Sequence, residues 1–366
     1  MNIFSYIDKY GSLTFEEEPF NEIDNIIFSA ISYIDFEKYV SKNSSNKKTI
    51  HSVGNQYFKE HSKKEKNTIA TKNALKVLLN IKDTNRYKNL LLYNYSYIGD
   101  KSQQFSAITI EINKKLVYIS YEGTDSLISG WKEDFMMGYQ FPVQSQRRAI
   151  NYVNKNFLFS NKKIILGGHS KGGNLAQVAG MYSNYFIQKR IINIYNNDGP
   201  GLKQKEFSSK YYKKIENKLI HIIPNYSLFG LLLRNNKKYI VIKSAKKDIF
   251  AHDFITWIVE KKEFKRDKLS TFSTAVEKSG NEWLNKYNEE QIQKFVKTLF
   301  GIIQELNIVY LTDIYDNKKL IFELIMKSKD IEEDTKTMLK DFIYNIFKHF
   351  KDLKANEIQN FFKIKK

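Results

Sequence analysis

The stretch that decides the fold is IILGGHSKGGNLA, residues 164–176. An apolar run, Ile164-Ile165-Leu166, leads into glycines, and a helix-like run opens at Asn174. Between them, Gly168-His169-Ser170-Lys171-Gly172 follows the pattern G-x-S-x-G. In a strand–turn–helix setting that spacing lifts a serine above a sheet edge, with small neighbours clearing a strained turn. The first amide of the helix then points where negative charge develops on an attacked carbonyl. The bland alternative is a tight turn or a phosphate cradle. A dinucleotide fingerprint would need G-x-G-x-x-G, which is absent from this stretch.

Working outward, strands and helices alternate. FSAITIEINKKLVYISYEG shows period-two alternation on either side of Asn113-Lys114-Lys115, which predicts a hairpin. Residues 144–159 have helical periodicity, RIINIYNNDGPG is an apolar strand ending in a turn, and NKLIHIIP and KKYIVIKS predict two further strands. Upstream, FNEIDNIIFSAISYIDF and TKNALKVLLNIKD predict amphipathic helices, and SKNSSNKKTIHS a polar loop. Buried strands alternating with helices predict an α/β fold, a mostly parallel sheet flanked by helices. After Lys261 strand signals nearly stop. EWLNKYNEEQIQKFVKTLFGIIQEL and EDTKTMLKDFIYNIFKHFKDLK predict a C-terminal helical region whose Phe and Ile stripe is core. The expected division is a domain over residues 1–260, with its N-terminal helices, and a helical region over 261–366.

Composition bounds the rest. The chain has 366 residues, 42% of them hydrophobic, and no cysteine. A sizeable core is affordable, while disulfides, thiolate zinc sites and a cysteine nucleophile are excluded. No metal or cofactor is expected. The first twenty residues lack a signal-peptide pattern, and no apolar run reaches about 18 residues, the length needed to span a bilayer. A cytoplasmic protein is expected, with peripheral membrane attachment as an option. The net charge of +19 is mostly scattered lysine on solvated faces. An anionic membrane surface is the partner that charge admits. No nucleic-acid motif is present, so no nucleic-acid partner is expected.

A serine hydroxyl needs a base and an orienting acid. Of the histidines after Ser170, His221 lies within a strand pattern and His349 within the last helix. His252 follows a strand in a loop, the place where this architecture carries its base, and is the candidate. Asp198, in NNDGPG after the next strand, is the candidate acid; it could equally be a turn residue. Asp248 and Asp253 compete, although adjacency to His252 makes Asp253 geometrically poor. Thr124, after LVYISYEG, and the Lys171 amide are the candidate oxyanion donors, and the Lys171 side chain is expected to add positive potential at the site. Trp131 and Asp134 are expected to orient that loop rather than react.

Together YEGTD, GWKEDF, GGHSKGGNLA, NDGPG, IIPNYSLFGLLL and AHDFITW resemble the bacterial Mbeg-like proteins, a domain-of-unknown-function family of the α/β-hydrolase superfamily related to class 3 lipases. EPFNEIDNIIFSAISYIDF resembles their N-terminal pattern, so the likeness spans roughly residues 14–260. It implies an α/β-hydrolase-like fold and lipase- or esterase-like activity. It carries the nucleophile onto Ser170, the base onto His252 and an oxyanion residue onto Thr124. Two features depart from class 3 lipases. Tyr121-Glu122-Gly123 stands where they have Phe-Arg-Gly, and PNYSLFG, where they have Asp-x-Val-Pro, holds no carboxylate. The acid is then Asp198, or the triad is incomplete. The expectation is a serine hydrolase cleaving a small-molecule or lipid carboxylic ester. Its rivals are a catalytically silent binding or regulatory protein on the same scaffold, an amidase with the same triad, and an acidic-ligand module.

Overall fold

The structure is a computed structural model that describes residues 1–61, 68–99, 104–124, 128–233, 238–308, 332–338 and 341. Its first part is helical: α1 (Ile3–Tyr10), α2 (Glu22–Ile31), the short strand β1 (Lys48–Thr49), α3 (Ile50–Glu60) and α4 (Ile69–Ile81). Then come β2 (Leu91–Gly99), β3 (Gln104–Asn113), β4 (Leu116–Tyr121), α5 (Ile128–Met136), α6 (Gln144–Phe157), β5 (Lys163–His169) and α7 (Lys171–Tyr182). They are followed by α8 (Tyr185–Arg190), β6 (Ile191–Asn197), α9 (Gln204–Phe207), α10 (Lys210–Lys213), β7 (Leu219–Pro224) and β8 (Ile240–Ile242). A two-stranded ribbon, β9 (Val259–Glu260) with β10 (Glu263–Phe264), precedes α11 (Thr271–Lys286) and α12 (Glu289–Glu305).

Eight strands form one sheet in chain order, β1 to β8. The pairs up to β3–β4 are antiparallel, and those from β4 to β8 are parallel. Alternate residues of the central strands enter different cores, as the pleat demands. Tyr118 and Ile165 pack with α1, α2 and α4 on one face. Val117, Ile119, Ile164 and Leu166 pack with α6 and α7 on the other. The sheet is thus the α/β-hydrolase-like, mostly parallel, helix-flanked arrangement that the sequence predicts.

One buried ion pair fixes the N-terminal layer to the sheet. Asp24 of α2 pairs with Arg86 at 2.6 Å, and both side chains are fully buried. Arg86 also donates to the carbonyls of Thr14, Glu18 and Pro19, so its guanidinium is fully engaged. A buried charge is tolerated only when paired and hydrogen-bonded in this way. Thus clamped, α2 reaches the upper edge of the sheet, where Asn25 donates to Asn197 at the end of β6 (2.8 Å).

Some elements were not foreseen. α3 opens inside the stretch expected as a loop, capped by the Thr49 hydroxyl accepting from Ser52 N. β2 carries a register shift between Tyr93 and Ser96, with Asn94 at φ 54°, which hides its alternation. In the C-terminal region Trp283, Phe295, Val296 and Phe300 bury against Trp131, Phe135 and Met136 of α5. The apolar stripe of α12 is therefore core. Of the last expected helix, 333–338 and 341 are helical and the remainder, with His349, lies outside the described residues. Among the described residues no helix is long and apolar enough to cross a membrane.

Candidate active site

Ser170 is the single residue between β5 and α7, with φ 57° and ψ −133°, a backbone region that side chains avoid. Its neighbours enforce the turn. Ser170 N–H donates to Asn197 O (2.9 Å), and Ser170 O accepts from Gly173 N (2.9 Å). The demand for glycine is steric: a Cβ on Gly172 would lie 2.1 Å from Tyr121 O, and one on Gly199 2.1 Å from Ser170 O. Gly172→Ala is therefore expected to cost about 3 kcal/mol or more, because backbone of β4 must move to relieve it. The urea unfolding midpoint measures this, and an unchanged midpoint would refute the packing.

β6 lies beside β5 in parallel register, His169 opposite Asn197, so Ser170 and Asp198 each follow the same registered pair. Asp198, also left-handed at φ 52°, is fully buried. One carboxylate oxygen accepts from the Ser227 hydroxyl (2.5 Å) and Gly230 N–H (3.1 Å). The other accepts from His252 Nδ1 at 2.6 Å. Burial pushes the Asp198 carboxyl up, and the bond from Ser227 pulls it down. Burial pulls the His252 imidazolium down, so its neutral form, with the proton on Nδ1 facing the carboxylate, is the resting state. Among the described residues His252 Nε2 has no hydrogen-bond partner.

The loop after β7 is where the chain departs from the class 3 lipase pattern. It holds no carboxylate; it supplies Ser227 and Gly230 as donors to a carboxylate from the preceding strand. Asp253 is occupied elsewhere, accepting from Asn73 Nδ2 (2.8 Å) and Ile255 N. His221 is buried within β7.

Thr124 lies just beyond β4, and its hydroxyl donates to Asp134 of α5 (2.5 Å). Burial raises the Asp134 carboxyl to about 6 against the pull of the Lys171 ammonium. Lys171 opens α7, but its side chain does not reach solvent. Its Nζ is buried 3.4 Å from Glu133 and 3.4 Å from Gln104 O. The charge is spent inside the protein, which corrects the idea that it adds positive potential at the site.

Several contributors to the site carry no sequence signal, among them a histidine ahead of Ser170. His169 Nε2 lies 2.8 Å from His252 O, and its Nδ1 lies 3.0 Å from the Tyr33 hydroxyl. A carbonyl only accepts, so Nε2 carries the proton and Nδ1 accepts from Tyr33. Burial, reinforced by His252, pulls His169 down to about 3, so it stays neutral. Its ring lies 4.4 Å from that of His252. On another side Phe229 lies 4.4 Å from the His252 ring, and Trp131 lies 5.5 Å from Phe229. The imidazole thus sits among rings, an arrangement visible only once the loops are folded.

The sheet and the strand–turn–helix at its upper edge define an α/β-hydrolase-like protein. The chain belongs to the Mbeg1-like family, whose model matches residues 81–301. That match starts later than the likeness read from the sequence and runs on into α11 and α12. No curated protein matches the chain. Among solved structures it is similar to M37 lipase, at 15% identity and TM-score 0.33, covering 58% of this chain and 70% of that one. It is similar to lipase II from Rhizopus niveus, at 12% identity and TM-score 0.34, covering 61% and 80%. A lipase from Rhizopus microsporus var. chinensis shares 16% identity at TM-score 0.31, over 50% and 69%. These overlaps are loose, and each site role rests on this chain's own geometry.

Proposed function

We propose that the chain is a serine hydrolase that cleaves carboxylic esters, lipase- or esterase-like, through an acyl-enzyme. The observation that carries this reading is the hydrogen-bonded pair of the fully buried Asp198 and the half-buried His252, 2.6 Å apart, at the sheet edge where Ser170 makes its turn. Ser170 Oγ attacks the ester carbonyl while His252 Nε2 takes its proton. The Thr124 and Lys171 amides hold the oxyanion. The imidazolium, held by the Asp198 carboxylate, gives the proton to the leaving alkoxide. Water, deprotonated by the same imidazole, then releases the acid. No metal or cofactor enters these steps. The rings of Phe229 and Trp131 near His252 favour an apolar acyl group over a charged one.

The test is labelling by a fluorophosphonate, followed by hydrolysis of a short series of acyl esters beside matched amides. Labelling with ester turnover supports the reading. Amide turnover at equal rate replaces it with the amidase, and absence of labelling replaces it with the catalytically silent binding or regulatory protein.

pH dependence follows from the base. The imidazole acts only when neutral, and burial lowers its pKa, so activity is present above that pKa and lost as pH falls through it. Because that pKa lies below the roughly 6.5 of a free imidazole, the labelling rate is expected to be level from about pH 8 down to about pH 6 and to fall only in more acid solution. A rate that rises as the solution is acidified below about pH 6 removes His252 from the mechanism.

A further inference from the structure

The parallel sheet has two ends. Ser170 and Asp198 follow the C-terminal ends of β5 and β6; the opposite edge carries a different surface. Between Asp134 and Asp198 the sequence has no acidic residue, and this stretch supplies α6, β5, α7, α8 and β6. Lys114 and Lys115 lie in the β3–β4 turn, Lys155 near the end of α6, Lys163 at the start of β5, and Lys189 and Arg190 at the end of α8. These six pair with no carboxylate among the described residues. Glu111 lies at the same edge but is engaged by Lys47 and Lys162.

Hydrogen bonds knit this edge together. Lys163 N donates to Lys115 O, Arg190 donates to the carbonyls of Lys162 and Phe157, and Asn184 N donates to Asn154 Oδ1. The ends of α6 and α8 therefore lie together, and both present apolar side chains to solvent. Phe159 is 96% exposed, Phe186 66% and Tyr185 56%, with Leu158 beside them. The neighbouring Lys189 ammonium lies 4.5 Å from the Tyr185 ring.

We propose that this edge docks on an anionic lipid bilayer, its cations on the headgroups and Phe159 and Phe186 inserted among the acyl chains. Charge complementarity selects the headgroup: the face is cationic and lacks free carboxylates. The apolar side chains select lipid over other polyanions. Leu158 offers no ring on which a base could stack, and the exposed phenyl groups of Phe159 and Phe186, which carry no polar atom, gain from burial among acyl chains while the lysines beside them stay at the headgroups. Docking this way turns the Ser170 edge away from the bilayer, so membrane binding and turnover of a soluble ester are separable. The proposal does not depend on the hydrolase reading.

The test is sedimentation of the full chain with phosphatidylcholine vesicles with and without phosphatidylglycerol, at low and high salt. Binding is expected only with phosphatidylglycerol, and to weaken steeply as salt rises. K155Q/K163Q/K189Q is expected to bind about a hundredfold more weakly, at roughly fivefold per cation. The charge-preserving K155R/K163R/K189R is expected to bind like the wild type, and thermal melting shows whether each variant is folded. F159S/F186S is expected to lose about tenfold or more at unchanged charge. Unchanged binding of either the glutamine or the serine variant overturns the proposal, as does tighter binding to random-sequence RNA than to the anionic vesicles. A chain that binds vesicles but is not labelled by fluorophosphonate overturns the hydrolase reading and leaves this one standing.

Discussion

Ser170→Ala is expected to abolish fluorophosphonate labelling and to lower ester hydrolysis by about 10⁴-fold or more, because removing the nucleophile alone removes the covalent route. Folding should survive. The Ser170 hydroxyl makes no hydrogen bond among the described residues, while the two bonds that hold the turn involve its main chain. The unfolding free energy should change by no more than about 0.5 kcal/mol. Ser170→Gly adds a sharper contrast. At φ 57° and ψ −133° a side chain is strained and glycine is not, so the glycine variant should be inactive and more stable than the wild type. An inactive variant that is also more stable is the mark of strain held for function. If Ser170→Ala still labels at the wild-type rate, the nucleophile is elsewhere and the hydrolytic account fails.

The parts of the site that could be read from the chain are those whose physics is local. The apolar run, the paired glycines and the following helix all sit within residues 164–176, so the turn was legible there. The β3–β4 hairpin was legible for the same reason. Asp198 was reached through its position after a strand, not through its partner. That partner, His252, lies 54 residues away, and no pattern in NNDGPG points to it. The donors that hold Asp198 were less legible still. A serine hydroxyl and a glycine amide carry no sequence signature, and the stretch that supplies them, PNYSLFG, looked like a defect because it lacked a carboxylate. Lys171 misled for a related reason. A lysine beside a reactive serine suggests outward charge, and its burial against Glu133 depends on how α5 folds back over the elbow. His169 was passed over because its value lies in Tyr33, in a helical layer more than a hundred residues earlier.

The second large effect separates a reacting triad from a merely buried pair. Asp198→Asn is expected to lower kcat by about 10⁴-fold, the size of effect known when a triad carboxylate becomes an amide, while leaving the fold intact. The direction follows from the hydrogen bonds. Ser227 and Gly230 both donate to one oxygen of Asp198, and in asparagine only the carbonyl oxygen can accept from them. The amide NH₂ is thereby aimed at His252 Nδ1, where the carboxylate oxygen had been an acceptor. A donor there forces Nδ1 to accept, the proton moves to Nε2, and the imidazole can no longer take one from Ser170. Labelling should slow without vanishing, since the serine and its oxyanion donors remain, and this distinguishes the variant from Ser170→Ala. Proton and nitrogen chemical shifts of His252 would show the exchanged tautomer directly. Asp253→Asn is the matched control: that carboxylate bonds Asn73 and Ile255 N, so its loss should change kcat by no more than about threefold. An Asp198→Asn variant within tenfold of wild type would make His252 a base that needs no acid, and would leave Asp198 a buried turn residue.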